Sequence, residues 1–385
     1  MRKFLTLFLS AALVFVLGNA YAKQADTHGL IGRIGQAAED YCAKRKEVTL
    51  MVGVTKRGER YVKGFRSPDA VKAILPNVET VYEIGSDTKL FNCILLAKLA
   101  ADGIVALDHT IGEYLPQDLK LPPEVAAITL LQLATHTSGL PRIVDNFEKL
   151  VLEDVNTCYT RYKKEDLYEG LGTVKLKSKP GTQWLYSIIG TGTLGHILEL
   201  KSGQRWETLV KEIICEPLGM KDTTVILSKD QRDRMAIGYD SQGNPAPVWE
   251  FDVLGAQGAL RSTMKDMLTF AEANLKVDDS ALSAAMRQTR QPYFDWPDGT
   301  SAPKFYNWPA LAAQGLGWWK LILPEREAWV HDGATGAYRA FVGICEKLQV
   351  GLILLSSNGK NLEDLMEMPG LGFDLLKLAT EVSLR

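Results

Sequence analysis

Strand patterns lie at both ends of this 385-residue chain, and helical patterns fill its centre. The strand-like segments are 48–55, 61–65, 317–322, 328–330, 337–344 and 350–355. The helical segments are 31–46, 88–101, 128–134, 186–202, 205–215, 263–274 and 361–381. One antiparallel sheet built from the two ends of the chain would satisfy this order. We therefore expect an α/β (α+β) fold, with helices flanking the sheet and a mainly helical lobe, about 86–300, inserted into it.

The beginning of the chain has the pattern of a secretory signal peptide. Arg2 and Lys3 form a basic start, residues 4–17 are apolar, and residues 20–22 form a small-x-small cleavage site. The apolar part is short for a membrane span. We expect residues 1–22 to be removed, although an uncleaved anchor is the alternative.

The remaining residues, 23–385, contain no Ser/Gly-rich linker, long charge block or convincing internal repeat, so we expect one domain. Its expected location is the periplasm or the cell exterior, with no stable membrane span after cleavage. No basic cluster or stripe indicates a nucleic-acid partner. A small-molecule or peptide substrate is therefore the expected partner.

The cysteines are few and odd in number, which leaves at least one thiol without an intrachain disulfide partner. They are Cys42, Cys93, Cys158, Cys215 and Cys345. Cys93 and Cys345 lie in apolar runs and are expected to pack as small hydrophobic side chains. No Cys/His spacing is typical of zinc, and we expect neither a metal site nor a cofactor.

Ser86 and Lys89 are the candidate catalytic pair. Residues three apart on a helix lie on one face, about 5–6 Å apart, so the lysine amine can reach the serine hydroxyl. The amine can accept that proton if burial and neighbouring charges lower its pKa. The apolar run 90–100 predicts a buried helix that begins at this pair.

The same Ser-x-x-Lys spacing occurs three more times, at Ser262/Lys265, Ser301/Lys304 and Ser357/Lys360. None of these matches precedes a helix that is apolar on every side. The surroundings of Ser86 also include a glycine for a tight turn and a helix N-terminus, which favours a developing anion. Ser86 is therefore the expected nucleophile.

Tyr186 is the candidate for a second proton-transfer group. It follows a Pro-Gly turn at 180–181 and precedes a predicted helix, and a side chain at such a junction can enter a cleft. A free tyrosine has a pKa near 10, so action as a base requires nearby positive charge, which Lys89 can supply. The alternative is a packed aromatic residue with its hydroxyl group hydrogen-bonded.

A third candidate element is the segment 329–338, which contains His331, Gly333 and Ala334. The glycine allows a substrate backbone to approach closely. The Ala334 N–H group is expected to form an oxyanion hole with the Ser86 N–H group. His331 is expected to bind a substrate carboxylate or to tune Tyr186, and a structural histidine is the alternative.

Together these elements resemble the family of class C β-lactamases, DD-peptidases and related esterases, over nearly all of the mature chain. Further segments match family landmarks, at 133–142, 217–224, 255–263 and 315–318. The first two are most similar to the periplasmic DD-carboxypeptidase/endopeptidase branch. The resemblance implies a β-lactamase/transpeptidase-like fold, nucleophilic attack by Ser86, proton transfer by Lys89 and Tyr186, and a hydrolysed acyl-enzyme.

Two positions depart from the family pattern. Ile188 replaces the asparagine that, in relatives, binds the substrate amide and contacts the lysine. His331-Asp332-Gly333 replaces Lys-Thr-Gly, and a histidine is mostly uncharged at neutral pH. Both changes lower the expected efficiency of β-lactam hydrolysis.

The main functional hypothesis is an exported serine hydrolase that acts on D-Ala-D-Ala peptides of the cell wall or on β-lactams. An esterase on the same scaffold is the second hypothesis, because esters need less amide recognition. A catalytically impaired binding protein for penicillin or wall peptides is the third. A Ser-His-Asp hydrolase and a zinc hydrolase are disfavoured, because Gly-x-Ser-x-Gly and His-Glu-x-x-His are absent from the sequence.

Overall fold

The computed structural model describes residues 29–70, 74–240, 244–296, 311–323, 326–357 and 362–381, with the side chains of 362–366 excluded. The proposed signal peptide lies outside the described residues. Within the described ranges, no helix is long and apolar enough to cross a membrane.

The strands confirm the predicted sheet. They are β1 Thr49–Lys56, β2 Glu59–Arg66, β3 Val81–Glu83, β4 Arg261–Thr263, β5 Phe294–Asp295, β6 Leu311–Gln314, β7 Trp319–Leu323, β8 Arg326–Ala334, β9 Arg339–Cys345 and β10 Val350–Ser357. In the described part of the chain, the main sheet has the order β2-β1-β10-β9-β8-β7-β6-β5. Its neighbouring strands are antiparallel, and Thr49 of β1 lies opposite Ser357 of β10. The two ends of the chain therefore meet as neighbouring strands of one sheet.

The helices occupy the predicted central region and both flanks. They are α1 Leu30–Ala43, α2 Thr88–Ala101, α3 Ile111–Tyr114, α4 Pro123–Ala126, α5 Leu130–Ala134, α6 Asp145–Glu153, α7 Cys158–Arg161, α8 Lys164–Thr173, α9 Ile188–Ser202, α10 Trp206–Val210, α11 Glu216–Leu218, α12 Lys229–Asp233, α13 Met264–Leu275, α14 Ala281–Thr289 and α15 Leu362–Glu381. The predicted helix at 205–215 is α10 followed by a π-helical segment, Lys211–Cys215. The helix predicted at 128–134 begins later, because Thr129 caps it and accepts a hydrogen bond from the Gln132 N–H group.

Helices cover both faces of the main sheet. α1 and α15 pack together on one face, where their apolar side chains form one core with the strands. α13 packs against β1, β9 and β10 on the other face, and the second core continues from there into the helical lobe. The lobe and the sheet therefore share a continuous apolar interior, and α13 belongs to the sheet layer although it lies within the predicted insertion.

α2 is the central helix of the molecule. Of its residues, only Lys98, Ala100 and Ala101 are not buried, in agreement with the all-apolar pattern. It packs against α9 and α14. Such complete burial fixes the first turn of α2, where Lys89 lies.

A small sheet positions the chain before α2. β3 pairs with β4, with Val81 opposite Thr263, and the Ile84 N–H group donates to the Leu260 carbonyl at 3.0 Å. Gly85 then adopts a φ of +49°, a conformation that favours glycine, and a 3₁₀ turn over Gly85–Asp87 leads into the helix. The candidate nucleophile therefore lies in this turn, directly before α2.

All five cysteines are buried and none forms a disulfide: Cys42, Cys93, Cys158, Cys215 and Cys345. Burial raises the pKa of the Cys93 thiol to about 12. Cys93 and Cys345 pack in the two apolar cores, as predicted.

Candidate active site

Three predicted side chains, from two separate segments, meet at the Ser86 hydroxyl oxygen. The Ser86 hydroxyl oxygen lies 2.9 Å from Lys89 Nζ and 2.8 Å from the Tyr186 hydroxyl oxygen. Lys89 comes from the first turn of α2, and Tyr186 lies two residues before α9. The structure therefore brings the predicted nucleophile within hydrogen-bonding distance of both candidate proton-transfer groups.

Lys89 is held by a residue that the sequence did not single out. Its Nζ atom donates to the Gln257 carbonyl oxygen at 2.7 Å and to the Gln257 side-chain oxygen at 3.3 Å. Gln257 ends a short 3₁₀ turn, Gly255–Gln257, that packs against α2. The family landmark at 255–263 was the only signal in the sequence that this segment approaches the site.

The surroundings of Lys89 favour its neutral form. Burial lowers the pKa of the Lys89 amine well below its ordinary value of 10.5, and the nearby Arg142 guanidinium lowers it further. Asp332 and Asp87 oppose this effect. A neutral amine has a free lone pair, so this shift favours the protonation state that a general base needs.

Tyr186 is surrounded by aromatic and cationic groups. The His136 ring centre lies 4.4 Å from the Tyr186 ring centre, and the Arg142 guanidinium lies 5.1 Å from it. Arg142 and the Ser86 hydrogen bond lower the pKa of the phenol, but burial outweighs them and raises it. Nearby positive charge therefore does not bring the pKa of Tyr186 below its ordinary value, as action as a base would require. A protonated phenol is a proton donor or relay rather than a resting base.

The β8 strand lies directly against the turn that carries Ser86. A Cβ atom on Gly85 would come within 2.6 Å of the Ala334 backbone nitrogen. A Cβ atom on Gly333 would overlap the Ile84 carbonyl oxygen and stand 3.1 Å from the Asp87 backbone nitrogen. Both glycines are thus needed for this close backbone approach. It brings the two predicted oxyanion donors, the Ser86 and Ala334 N–H groups, to adjoining segments.

His331 is buried, and this contradicts the expectation that it contacts a substrate carboxylate. Its side chain is 0% exposed, Nδ1 lies 3.2 Å from the Asp87 carboxylate, and its ring stacks on Trp319. Burial and the charge of Lys89 lower the pKa of the imidazole to about 3. The residue therefore contributes neither an accessible surface nor a positive charge, and the histidine ring that packs on Tyr186 is His136.

Ile188 begins α9 and packs in the core beside the site. Its N–H group donates to the Arg142 carbonyl at 2.9 Å. The amide group that faces Lys89 thus comes from Gln257, on a different segment from the family's asparagine position.

The competing Ser-x-x-Lys matches lack this geometry. Ser262 is fully buried and lies 2.8 Å from the Thr223 hydroxyl, while Lys265 is exposed and lies 3.7 Å from Glu79. Ser357 is buried and bonded to Thr49. The match at Ser301/Lys304, as well as Lys360, lies outside the described residues.

Comparison with known proteins gives the family. The family model described as Beta-lactamase matches residues 34–377. The chain is 32% identical over 304 residues to the D-alanyl-D-alanine-carboxypeptidase/endopeptidase AmpH of Escherichia coli, which covers 76% of each chain. It is 24% identical over 335 residues to a β-lactamase of Pseudomonas fluorescens, covering 80% of this chain and 88% of the relative.

Solved structures share the fold. A β-lactamase/D-alanine carboxypeptidase from Yersinia pestis, solved with citrate, superposes with a TM-score of 0.73 at 23% identity, covering 90% of this chain and 98% of the other. Helices and an antiparallel sheet are thus arranged as the sequence predicted. The chain belongs to the Beta-lactamase family and is a serine hydrolase of the β-lactamase/DD-peptidase class.

Proposed function

We propose that the protein is an exported hydrolase that forms an acyl-enzyme on Ser86 and acts on D-Ala-D-Ala peptides of peptidoglycan or on β-lactams. The main support is one observation: the Ser86 hydroxyl lies within 2.9 Å of a buried lysine amine whose pKa is lowered. The similarity to a D-alanyl-D-alanine-carboxypeptidase/endopeptidase supports the substrate class.

In the proposed acylation, the neutral Lys89 amine takes the hydroxyl proton while Ser86 Oγ attacks the substrate carbonyl carbon. The resulting oxyanion accepts hydrogen bonds from the Ser86 and Ala334 N–H groups. Tyr186 gives its proton to the leaving nitrogen as the C–N bond breaks, and the Lys89 ammonium then gives its proton to the Tyr186 phenolate, so that both groups return to their starting states. Water then attacks the acyl-enzyme, and the same groups return the proton to Ser86.

Export and domain organisation are part of the proposal. Residues 1–22 would direct export and be cleaved, and residues 23–385 would form one hydrolase domain in the periplasm or outside the cell. Cleavage would place Lys23 at the new amino end, which intact-mass analysis of the exported protein can test.

An esterase is the second candidate, and the residue that favours it is Ile188. This side chain packs in the core and offers no amide group to a substrate, so recognition of an amide-containing acyl group would be weaker. A catalytically impaired binding protein is the third candidate. It is disfavoured by the direct contacts among Ser86, Lys89 and Tyr186.

Covalent labelling tests the nucleophile. Wild-type protein should form a stoichiometric adduct with a fluorescent penicillin or a fluorophosphonate, and Ser86→Ala should form none. Ser262→Ala serves as the matched control, because Ser262 has the same spacing to a lysine but lies away from the site; it should be labelled normally. Labelling of Ser86→Ala at the wild-type level would refute the proposed nucleophile.

A substrate panel separates the candidates. Mass spectrometry after incubation with penicillin, a D-Ala-D-Ala peptide and a short-chain ester would show which acyl groups reach Ser86 and which are released. Turnover of the peptide or of penicillin supports the main proposal. Turnover of the ester alone favours the esterase, and a permanent adduct without turnover favours the binding protein.

A further inference from the structure

Arg142 is an exposed cation that is separated from the nucleophile Ser86 by the side chain of Tyr186. Its guanidinium carbon lies 5.1 Å from the centre of the Tyr186 ring, and the Tyr186 hydroxyl lies 2.8 Å from Ser86 Oγ. Lys89 Nζ lies 5.0 Å from the same ring centre. Arg142 is therefore close enough to Ser86 for a single substrate molecule to contact both residues.

The backbone at Arg142 is fixed to the segment that carries Tyr186. The Arg142 carbonyl accepts a hydrogen bond from the Ile188 N–H group at 2.9 Å, and the Ser187 hydroxyl donates to the Pro141 carbonyl at 2.7 Å. These bonds hold residues 141–142 at the start of α9. The guanidinium is thus presented beside the phenol by a rigid support rather than by a free loop.

The guanidinium of Arg142 has no carboxylate within 4.0 Å among the described residues. Other arginines in the described part of the chain do have such partners: Arg290 lies 2.7 Å from Glu346, and Arg261 lies 3.4 Å from Glu250. The side chain of Arg142 is exposed. Its planar fork of donors, which suits a carboxylate, is therefore available to a molecule that enters the site.

The β8 side of the site does not supply a positive charge for a carboxylate. His331, which stands at the family's lysine position, is fully buried beside Asp87, and Asp332 next to it is acidic. A substrate anion would find an uncharged imidazole out of reach on β8 and an exposed guanidinium on the helical wall. Of these two basic side chains, only that of Arg142 is therefore accessible.

We propose that Arg142 binds a carboxylate group of the substrate and thereby selects anionic acyl donors. The inference rests on the proposed function, because it concerns the substrate of the Ser86 site. The carboxylate has two possible sources, the leaving group and the acyl part, and each has a distinct chemical test.

Three matched thioesters or aryl esters separate these sources: one neutral, one with a carboxylate on the leaving group, and one with a carboxylate on the acyl part. Arg142→Ala should reduce kcat/KM for one of the two anionic substrates roughly tenfold to a hundredfold more than for the neutral one, mainly through KM. The anionic substrate with the larger loss of kcat/KM identifies which part of the substrate carries the carboxylate. Arg142→Lys, which keeps the charge, should recover part of the difference.

The neutral substrate should also lose a few-fold in rate, because Arg142 contacts the Tyr186 ring. Arg232→Gln is the control, since Arg232 is an exposed arginine on helix α12 that forms no ion pair with the described site residues, and its loss should leave all three rates as in the wild type. Equal losses on all three substrates, or no loss on any, would overturn the inference. Failure of the nucleophile itself would be recognised separately, by Ser86→Ala retaining turnover of the neutral ester.

Discussion

The two walls beside Ser86 contribute different kinds of groups. The wall formed by β8 contributes backbone: Gly333 and Ala334 touch the nucleophile turn, and the one imidazole there is buried. The helical wall contributes polar side chains, namely those of Tyr186, Gln257 and Arg142. In the proposed mechanism, the sheet would supply fixed dipoles for an oxyanion, whereas the helical region would supply proton transfer and substrate selection.

The two walls should respond differently to mutation and to pH. The backbone wall depends on the absence of a side chain, so even one added methyl group should disturb it. The side-chain wall depends on charge and protonation, so it should respond to pH and to conservative substitutions. Mutations on the two walls should therefore differ in how their effects depend on pH, as well as in the size of the rate loss.

The largest effect is expected for Lys89→Ala, which removes the general base between the walls. Activity at neutral pH should fall by about 10²–10⁴-fold. The wild-type kcat/KM should rise with pH as Lys89 loses its proton, with an apparent pKa well below 10.5, because burial disfavours the charged amine. This acid limb should disappear in the mutant.

The control for this change is Lys265→Ala, which alters the lysine of a competing Ser-x-x-Lys match. Lys265 is exposed and, among the residues that the structure describes, forms an ion pair with Glu79 alone, at 3.7 Å, so its loss should leave kcat/KM unchanged. Lys89→Ala enzyme that kept most of its activity would remove the lysine from the mechanism.

A smaller but still large effect is expected for Gly333→Ala on the backbone wall. The added Cβ atom would overlap the Ile84 carbonyl oxygen, so β8 must move away from the nucleophile turn. Loss of one oxyanion donor typically costs about 10²–10³-fold in rate, and we expect a fall in kcat of that order, with an unchanged pH profile.

Gly370→Ala is the matched control, because a Cβ atom at Gly370 in α15 would have no neighbour within 4 Å. Thermal unfolding of both variants separates a local effect on the site from general destabilisation. Gly333→Ala enzyme with native stability and full activity would refute the role assigned to the backbone wall.

The smallest effect is expected for Gln257→Leu on the side-chain wall. This change removes the side-chain acceptor of Lys89 and leaves the carbonyl acceptor, so the rate should fall roughly three- to tenfold. The lost acceptor stabilised the protonated amine, so the pKa of Lys89 should fall and the acid limb should move to lower pH. Gln257→Glu should move it to higher pH, because a carboxylate stabilises the ammonium. Identical pH profiles in all three enzymes would exclude contact with Lys89 during turnover.

Sequence patterns were sufficient for most of the fold. The β-prone runs became β1, β2 and β7–β10, and the all-apolar run after Ser86 became the buried helix α2. These predictions succeeded because each depends on a local pattern of apolar residues, either alternating or continuous, which burial on one or both faces imposes on a strand or helix. Tyr186 was recognisable from its turn-to-helix junction.

The remaining parts of the site depend on contacts between distant segments. Gln257 reaches Lys89 across 168 positions, and no local pattern shows which turn will lie there. His136 packs on Tyr186, and no local pattern in the sequence indicates this contact. His331 was misassigned because its burial is decided by Asp87 and Trp319, which join it only in the folded molecule.

The pairing of β1 with β10 affects the order in which the sheet can fold. Thr49 and Ser357 are paired although 308 positions separate them, so the amino-terminal hairpin has no partner on that side until nearly the whole chain has been synthesised. Contacts this distant in sequence are slow to form, because the intervening loop must first be closed. The pairing of β1 with β10 should consequently be completed late in folding, and the unpaired edge of β1 would be a place where incomplete chains associate with one another.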